Sequence, residues 1–181
     1  MKAGKKTVVL GVTGSIAAYR ACDIISRLRK DSFDVRVIMT KEALEFVTAL
    51  TMQTISGNKV VVDMFDMPER WEIAHTSLAE EADLVLIAPA TANIIGKLAG
   101  GICDDIISCV VFATDAPVLI APAMNDKMYR HPVTQENVAK LKKIGYKFAG
   151  PIEGRLACGH VSIGHIADTD DIAGQAKRLL K

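Results

Sequence analysis

The sequence predicts an α/β fold, a single doubly wound parallel sheet of the Rossmann or flavodoxin type with helices on both faces. Short apolar segments, rich in β-branched residues, recur along the chain as Thr7 to Gly11, Asp83 to Ala88 and Pro117 to Ala121. Segments with helical spacing of apolar residues separate them, and this alternation is typical of parallel sheets. No change of composition marks a second domain, so we predict one domain over residues 1–181.

In the first half of the chain, turn residues and helix caps mark the boundaries between the predicted strands and helices. The first helix is supported by apolar residues on one face and by Arg20, Arg27 and Lys30 on the other. Thr40 is placed to cap the next helix, and acidic residues follow it in the first turn. The predicted order is strand Thr7 to Gly11, helix Ser15 to Lys30, strand Asp34 to Met39, helix Lys41 to Thr48, a short helix from near Thr51, and strand Lys59 to Asp63.

The second half begins with a stretch that has no clear period, Met64 to Ala74, which we interpret as a loop leading to His75. Gly145 is a good left-handed terminator for the amphipathic helix before it. The predicted order is helical turns Ser77 to Ala82, strand Asp83 to Ala88, helices Ala92 to Ala99 and Asp104 to Ala113, strand Pro117 to Ala121, helix Asn137 to Ile144, a final strand Tyr146 to Ala149, and helix Asp168 to Leu180.

Composition narrows the classes of function. The chain has 181 residues, half of them apolar, and a formal net charge of +1. No basic stripe interleaved with aromatic residues is visible, so a nucleic-acid partner is not expected. No apolar run approaches the roughly 20 residues that a membrane span needs. The four cysteines form no CxxC pair and no zinc-type spacing, so we expect no metal site, reduced thiols and a cytoplasmic protein.

Two loops at the carboxyl edge of the predicted sheet are suited to a phosphate. The turn Gly11 to Ser15 joins the first strand to the first helix, where backbone N–H groups point outward. It is not G-x-G-x-x-G and lacks the lysine of a P-loop, so neither a dinucleotide nor ATP is indicated. The loop Pro89 to Asn93 follows another strand at the same edge. Ordinary helix capping explains each loop alone, but the pair favours a mononucleotide.

Three further segments bring an imidazole, a carboxamide and a thiol into this domain. Pro122 to Asn125 follows an apolar strand, and Asn125 would project from the carboxyl edge of the sheet. His75 lies upstream in Ala74 to Leu78, and Cys158 lies downstream in Leu156 to Gly159.

The order and spacing of these segments resemble the phosphopantothenoylcysteine decarboxylases, in the group of homo-oligomeric flavin-containing cysteine decarboxylases. The resemblance runs from about Thr7 to Asp171. The segments that carry it are Gly14 to Tyr19, Ala74 to Leu78, Ala88 to Asn93, Pro122 to Asn125 and Ala157 to Gly159.

The resemblance implies an FMN cofactor and a homo-oligomer, either a trimer with the flavin between subunits or a dodecamer built from trimers. The residues implied to hold FMN share small size or a single polar group. Gly14, Ser15, Thr40, Thr91 and Asn93 would bind it, and Pro89, Ala90, Ala92 and Ala123 would line its site.

The implied reaction converts 4'-phosphopantothenoylcysteine to 4'-phosphopantetheine and carbon dioxide in coenzyme A biosynthesis. Oxidation of the thiol-bearing carbon to a thioaldehyde gives the departing carboxylate an electron sink. By resemblance, His75 acts at the reacting centre, Asn125 binds the substrate carboxylate, and Cys158 donates a proton in the final reduction. Asn125 could instead simply cap the turn that follows it.

The segment around residues 151–168 is predicted to be a mobile substrate flap. It departs from the family pattern, which commonly has Gly-Asp after the cysteine and later a glycine often followed by arginine. Here His160 and His165 stand at those places. Two other functions stay open, a peptidyl-cysteine decarboxylase of the same group and a non-catalytic FMN-binding regulator.

Overall fold

The computed structural model describes residues 4–65 and 74–181. Five parallel strands form the central sheet in the order β2-β1-β3-β4-β5, and two antiparallel strands form a separate hairpin, β6-β7. The predicted fold class is confirmed. The strands are β1 Thr7–Val12, β2 Asp34–Met39, β3 Leu84–Ala90, β4 Val118–Pro122, β5 Lys147–Phe148, β6 Ile152–Arg155 and β7 Val161–His165.

Helices cover both faces of the sheet. Two 3₁₀ segments, Ile16–Tyr19 and Lys41–Glu45, follow β1 and β2 at the carboxyl edge. The α-helices are α1 Arg20–Lys30, α2 Ala49–Ser56, α3 Ala74–Glu81, α4 Ala92–Gly100, α5 Ile106–Ala113, α6 Asp126–Arg130, α7 Pro132–Lys143 and α8 Thr169–Leu179. Within the described ranges, no helix has the length and apolar character needed to cross a bilayer.

The core is divided into two layers by the alternation of side chains along the strands. Val8 and Leu10 of β1 belong to the layer that contains α1, α2 and α8. Val9 of β1 belongs to the other layer, with residues of α3, α4, α5 and α7. Every residue of β3 is buried, so this strand has an almost continuous apolar sequence rather than an alternating one.

The strand order creates a crevice at the carboxyl edge between β1 and β3. The chain leaves β1 toward α1 in one layer and leaves β3 toward α4 in the other. Such a change of direction is the topological switch point where open α/β sheets bind ligands. The turn after β1 and the loop after β3 therefore face the same crevice.

Several predicted elements need correction. Residues Ser15 to Lys30 form a capped 3₁₀ turn and then α1, and Lys41 to Thr48 forms only a short 3₁₀ segment. Lys59 to Asp63 is not a strand. Within this segment only Val61 pairs with β2. Its N–H donates to Val37 O at 3.2 Å, and its carbonyl accepts from Met39 N at 2.9 Å.

The β6-β7 hairpin was missed, because its strands are short, contain glycine and are largely half-exposed. The hairpin is attached to the segment after β4, where Met124 N donates to Gly164 O at 3.0 Å. The backbones approach so closely that a Cβ atom on Gly164 would lie 2.2 Å from Met124 O. Gly164 also has a φ of +130°, so glycine is required here on two grounds.

Candidate functional site

Thr13 ties together the two loops that border the crevice. Its hydroxyl donates to Pro89 O at 2.8 Å and accepts from Thr91 N at 3.1 Å. Only 2% of Thr13 is exposed. The prediction that the two loops lie close together is thus confirmed. Thr13 itself was not among the predicted site residues, although a hydroxyl between two turn glycines was visible in the sequence.

The turn after β1 packs against the 3₁₀ segment that follows β2. A Cβ atom on Gly14 would lie 2.6 Å from the Cβ of Glu42, so a side chain at this position would force the two segments apart. Ser15 has extended backbone geometry, and its Oγ accepts from Ala17 N at 3.2 Å. Gly14 thus allows a close approach of backbones, and Ser15 caps the next turn.

Thr40 places an unpaired hydroxyl at the end of β2. The residue is 9% exposed, and Oγ1 has no hydrogen-bond partner among the described residues. The predicted side-chain cap is absent, since Thr40 makes no capping hydrogen bond to the segment after it. A buried hydroxyl without a partner is costly, so Thr40 is suited to a polar atom of a ligand.

The loop after β3 has small side chains and one helix cap. Pro89 and Ala90 are buried, and Ala123 N donates to Ala90 O at 3.0 Å, which joins this loop to the end of β4. Thr91 caps α4 through Oγ1, which accepts from Ile94 N at 3.4 Å. Ala92 is half-buried and Asn93 is exposed in the first turn of α4. All nine predicted cofactor residues thus lie in segments at the carboxyl edge of the sheet.

A cavity of about 580 Å³ opens beside the turn after β1 and is closed on one side by the hairpin. Ser15, Ala123, Asn125 and Cys158 all line it. Asn125 Nδ2 lies 3.6 Å from Cys158 Sγ, while Asn125 Oδ1 accepts from Lys127 N at 2.9 Å. The amide oxygen therefore caps α6, which confirms the capping interpretation of Asn125, and the amide nitrogen lies toward Cys158.

Basic side chains also line the cavity. They are Arg20, Arg155 and His165. The guanidinium of Arg20 lies over the ring of Tyr19, with 5.1 Å between its carbon and the ring centroid. The two guanidinium groups give the cavity a positive character that suits an anionic ligand.

His75 is not in this cavity. It lies in the first turn of α3, in the layer opposite α1 and α8, and α3 packs against α5. The helix ends near the amino edge, where Asp83 N donates to Thr7 O at 2.9 Å, so His75 lies at the end of α3 toward the carboxyl edge. His75 Nδ1 is buried without a partner in the described part of the chain. One copy of the chain therefore brings Asn125 and Cys158 together but leaves His75 apart.

The switch-point crevice, its phosphate-suited turn and the adjoining cavity define a mononucleotide-binding α/β protein of the flavodoxin type. The family model described as Flavoprotein matches residues 1–181. The chain belongs to the Flavoprotein family.

Curated relatives and solved structures agree with this assignment. The chain is 45% identical, over 97% of its length and 99% of the relative's, to a probable phosphopantothenoylcysteine decarboxylase of Streptococcus mutans. It is 46% identical, over 92% of its length, to the coenzyme A biosynthesis bifunctional protein CoaBC of Vibrio vulnificus, but spans only 41% of that protein.

Two solved structures are similar over 97% of this chain and 98% of their own. One is a PPC decarboxylase variant complexed with pantothenoylaminoethenethiol, with a TM-score of 0.85 and 29% identity. The other is the FMN-dependent cysteine decarboxylase SpaF, with a TM-score of 0.84 and 30% identity.

Proposed function

We propose that the chain is an FMN-dependent decarboxylase that converts 4'-phosphopantothenoylcysteine to 4'-phosphopantetheine in the cytoplasm, as a step of coenzyme A biosynthesis. The observation that carries the proposal is the pairing of Asn125 with Cys158 across a cavity that adjoins the switch-point turn. This contact supports a site in which the amide binds the substrate carboxylate and the thiol donates a proton to the carbon that the carboxylate leaves.

The residues present fit a flavin mononucleotide. Gly14 and Ser15 offer a tight turn for the phosphate, and the buried Thr40 hydroxyl lacks a partner that a ligand atom would provide. Thr91 and Asn93 open α4, while Pro89, Ala90, Ala92 and Ala123 leave space through their small side chains. When bound, FMN supplies reversible removal of hydride from the thiol-bearing carbon, which gives the carboxylate an electron sink.

Asn125 binds the substrate carboxylate with a neutral donor. Its oxygen is occupied by the cap of α6, so Nδ2 is presented to the cavity in a fixed orientation. A neutral amide orients the carboxylate without the strong ground-state stabilisation that a cation would give, and this favours departure of neutral carbon dioxide.

Cys158 donates the proton that the product needs. Its Sγ lies on the cavity side of the hairpin turn, within reach of the carbon next to a carboxylate held by Asn125. The guanidinium groups of Arg20 and Arg155 are available for the phosphate of the substrate. This favours a phosphorylated substrate over an unphosphorylated peptide.

The site is completed by a second copy of the chain in a homotrimer. His75 lies in the opposite layer from Asn125 and Cys158, so a site that uses all three draws them from two subunits. A cyclic trimer provides such a head-to-tail contact at each of its interfaces.

The visible spectrum of the purified protein and a carbon dioxide assay test the proposal together. We expect a yellow protein that releases carbon dioxide from phosphopantothenoylcysteine. Release only from a peptide that ends in cysteine would identify the peptidyl-cysteine enzyme instead. A yellow protein that never releases carbon dioxide would identify a regulator, and a colourless protein that does not bind added FMN would end the flavin assignment.

Replacing Thr40 with valine tests whether its hydroxyl contributes to FMN affinity rather than to the stability of the apoprotein. Thr40→Val removes a buried, unpaired hydroxyl, so we expect the apoprotein to be as stable as the parent or more stable, while the Kd for FMN rises about tenfold. Chemical denaturation and FMN titration measure the two quantities.

Thr13→Val is the matched control, because the Thr13 hydroxyl makes two internal hydrogen bonds. We expect its apoprotein to lose roughly 1–3 kcal/mol in the free energy of unfolding. Equal destabilisation by both variants, with FMN affinity unchanged in Thr40→Val, would contradict a ligand role for Thr40.

A further inference from the structure

His160 and Asp126 lie next to the cavity thiol of Cys158. Cys158 Sγ lies 3.4 Å from Nδ1 of His160 and 3.8 Å from its Nε2. Nε2 lies 3.3 Å from Oδ1 of Asp126, the residue that follows Asn125 in the chain. The imidazole thus contacts both the thiol and the carboxylate, and Sγ is almost equidistant from its two nitrogens.

Asp126 is held in place as an acceptor. Its side chain is only 15% exposed, and its other oxygen, Oδ2, accepts from Ser162 Oγ at 3.2 Å. Burial alone would raise the pKa of Asp126, but hydrogen bonds from His160 and Ser162 and the charge of His160 outweigh it, and the pKa is lowered. An ionised carboxylate can only accept, so it favours the tautomer of neutral His160 with the proton on Nε2, which leaves the lone pair on Nδ1, the nitrogen nearer to the thiol.

The proposed reaction consumes one proton in every turnover, because a carboxylate leaves as neutral carbon dioxide and a C–H bond takes its place. When Cys158 supplies that proton, its S–H bond breaks and the electron pair stays on sulfur as a thiolate. The other close polar neighbour of Sγ, Asn125 Nδ2, donates a hydrogen bond but carries no exchangeable acid proton. The other histidine of the cavity, His165, is a poorer source of a proton for the thiol, because its Nδ1 lies 2.8 Å from Ile166 O.

We propose that His160, oriented by Asp126, stabilises the Cys158 thiolate and returns a proton to it. In this step the Nδ1–H bond of the imidazolium breaks and an S–H bond forms, and the neutral imidazole then takes up from the solvent the one H⁺ that each turnover consumes. Access to water is direct, since the His160 side chain is 53% exposed. No oxidant or reductant is needed. His160 is therefore a positioning residue that acts through Cys158, and its part in turnover rests on the proposed function.

The test measures the thiol directly and needs no turnover. Only the thiolate reacts rapidly with iodoacetamide. In the FMN-loaded protein without substrate, we expect His160→Gln and Asp126→Asn each to slow alkylation of Cys158 by about tenfold at neutral pH, since the favourable electrostatic contact of the imidazole with sulfur is lost or weakened. Peptide mass spectrometry follows each cysteine separately, and the exposed Cys103 is the internal control.

Turnover provides the second measurement. His160→Gln should lower kcat by about tenfold with little change in KM, since the residue acts on the proton donor rather than on binding. Added imidazole should restore His160→Ala but not Cys158→Ser. Unchanged alkylation of Cys158 in both variants, or parental kcat in His160→Gln, would overturn the proposal. A parent protein that releases no carbon dioxide would overturn the proposed function alone, because the alkylation rates still decide whether His160 stabilises the thiolate.

Discussion

His75→Asn is expected to abolish carbon dioxide release while the protein remains yellow. Asparagine retains hydrogen-bonding capacity near the position of Nδ1, which is buried without a partner in the described residues, but it cannot exchange a proton. Loss of a positioned acid–base group typically costs about 10²- to 10⁴-fold in rate. The visible spectrum measures FMN occupancy, and carbon dioxide release from phosphopantothenoylcysteine measures the reaction.

Mixed oligomers are the control for the position of His75. When His75→Asn and Cys158→Ser chains are co-expressed in equal amounts, we expect about one quarter of the sites to be intact, because each site draws its two residues from different subunits. Neither variant alone should form saturated product at the parental rate. If co-expression restores no activity, the proposal that the site is shared between two copies fails.

Cys158→Ser is expected to uncouple loss of carbon dioxide from formation of the saturated product. A serine hydroxyl is a far weaker acid than a thiol, so protonation of the substrate carbon should slow by about 10²-fold or more. The oxidised enethiol, lighter than the product by one molecule of hydrogen, should accumulate and be detected by mass spectrometry.

Cys103→Ser provides the comparison for Cys158→Ser, because Cys103 is also exposed but does not line the cavity. It should release carbon dioxide and form saturated product like the parent. Full-rate formation of saturated product by Cys158→Ser would remove the assignment of Cys158 as proton donor.

The architecture could be predicted because the core strands carry unambiguous local signals. Asp34 to Met39 was predicted with the bounds that the structure shows, and β3 and β4 were each found within two residues at either end. β3 and β4 are buried on both faces, so their apolar character does not depend on which neighbour they pair with. The juxtaposition of the turn after β1 and the loop after β3 followed from strand order.

The parts that escaped prediction depend on contacts between distant segments. The β6-β7 hairpin is attached through Met124 and Gly164, and nothing local in either segment indicates that contact. Thr13 acquires its role only when β1 and β3 become neighbours. The sequence groups His75 with Asn125 and Cys158 but does not show that, within one copy of the chain, His75 lies outside the cavity that the other two residues line.

The contact between Gly164 and Met124 has a consequence for redesign of the enzyme. Substrate preference could be altered by transplanting residues 152–165 from a relative as one cassette, because this segment forms one hairpin whose backbone joins the chain next to Asn125, where Met124 N donates to Gly164 O. Any donor sequence must keep glycine at position 164, since even a methyl group there would collide with the Met124 carbonyl and tilt Asn125 away from its target.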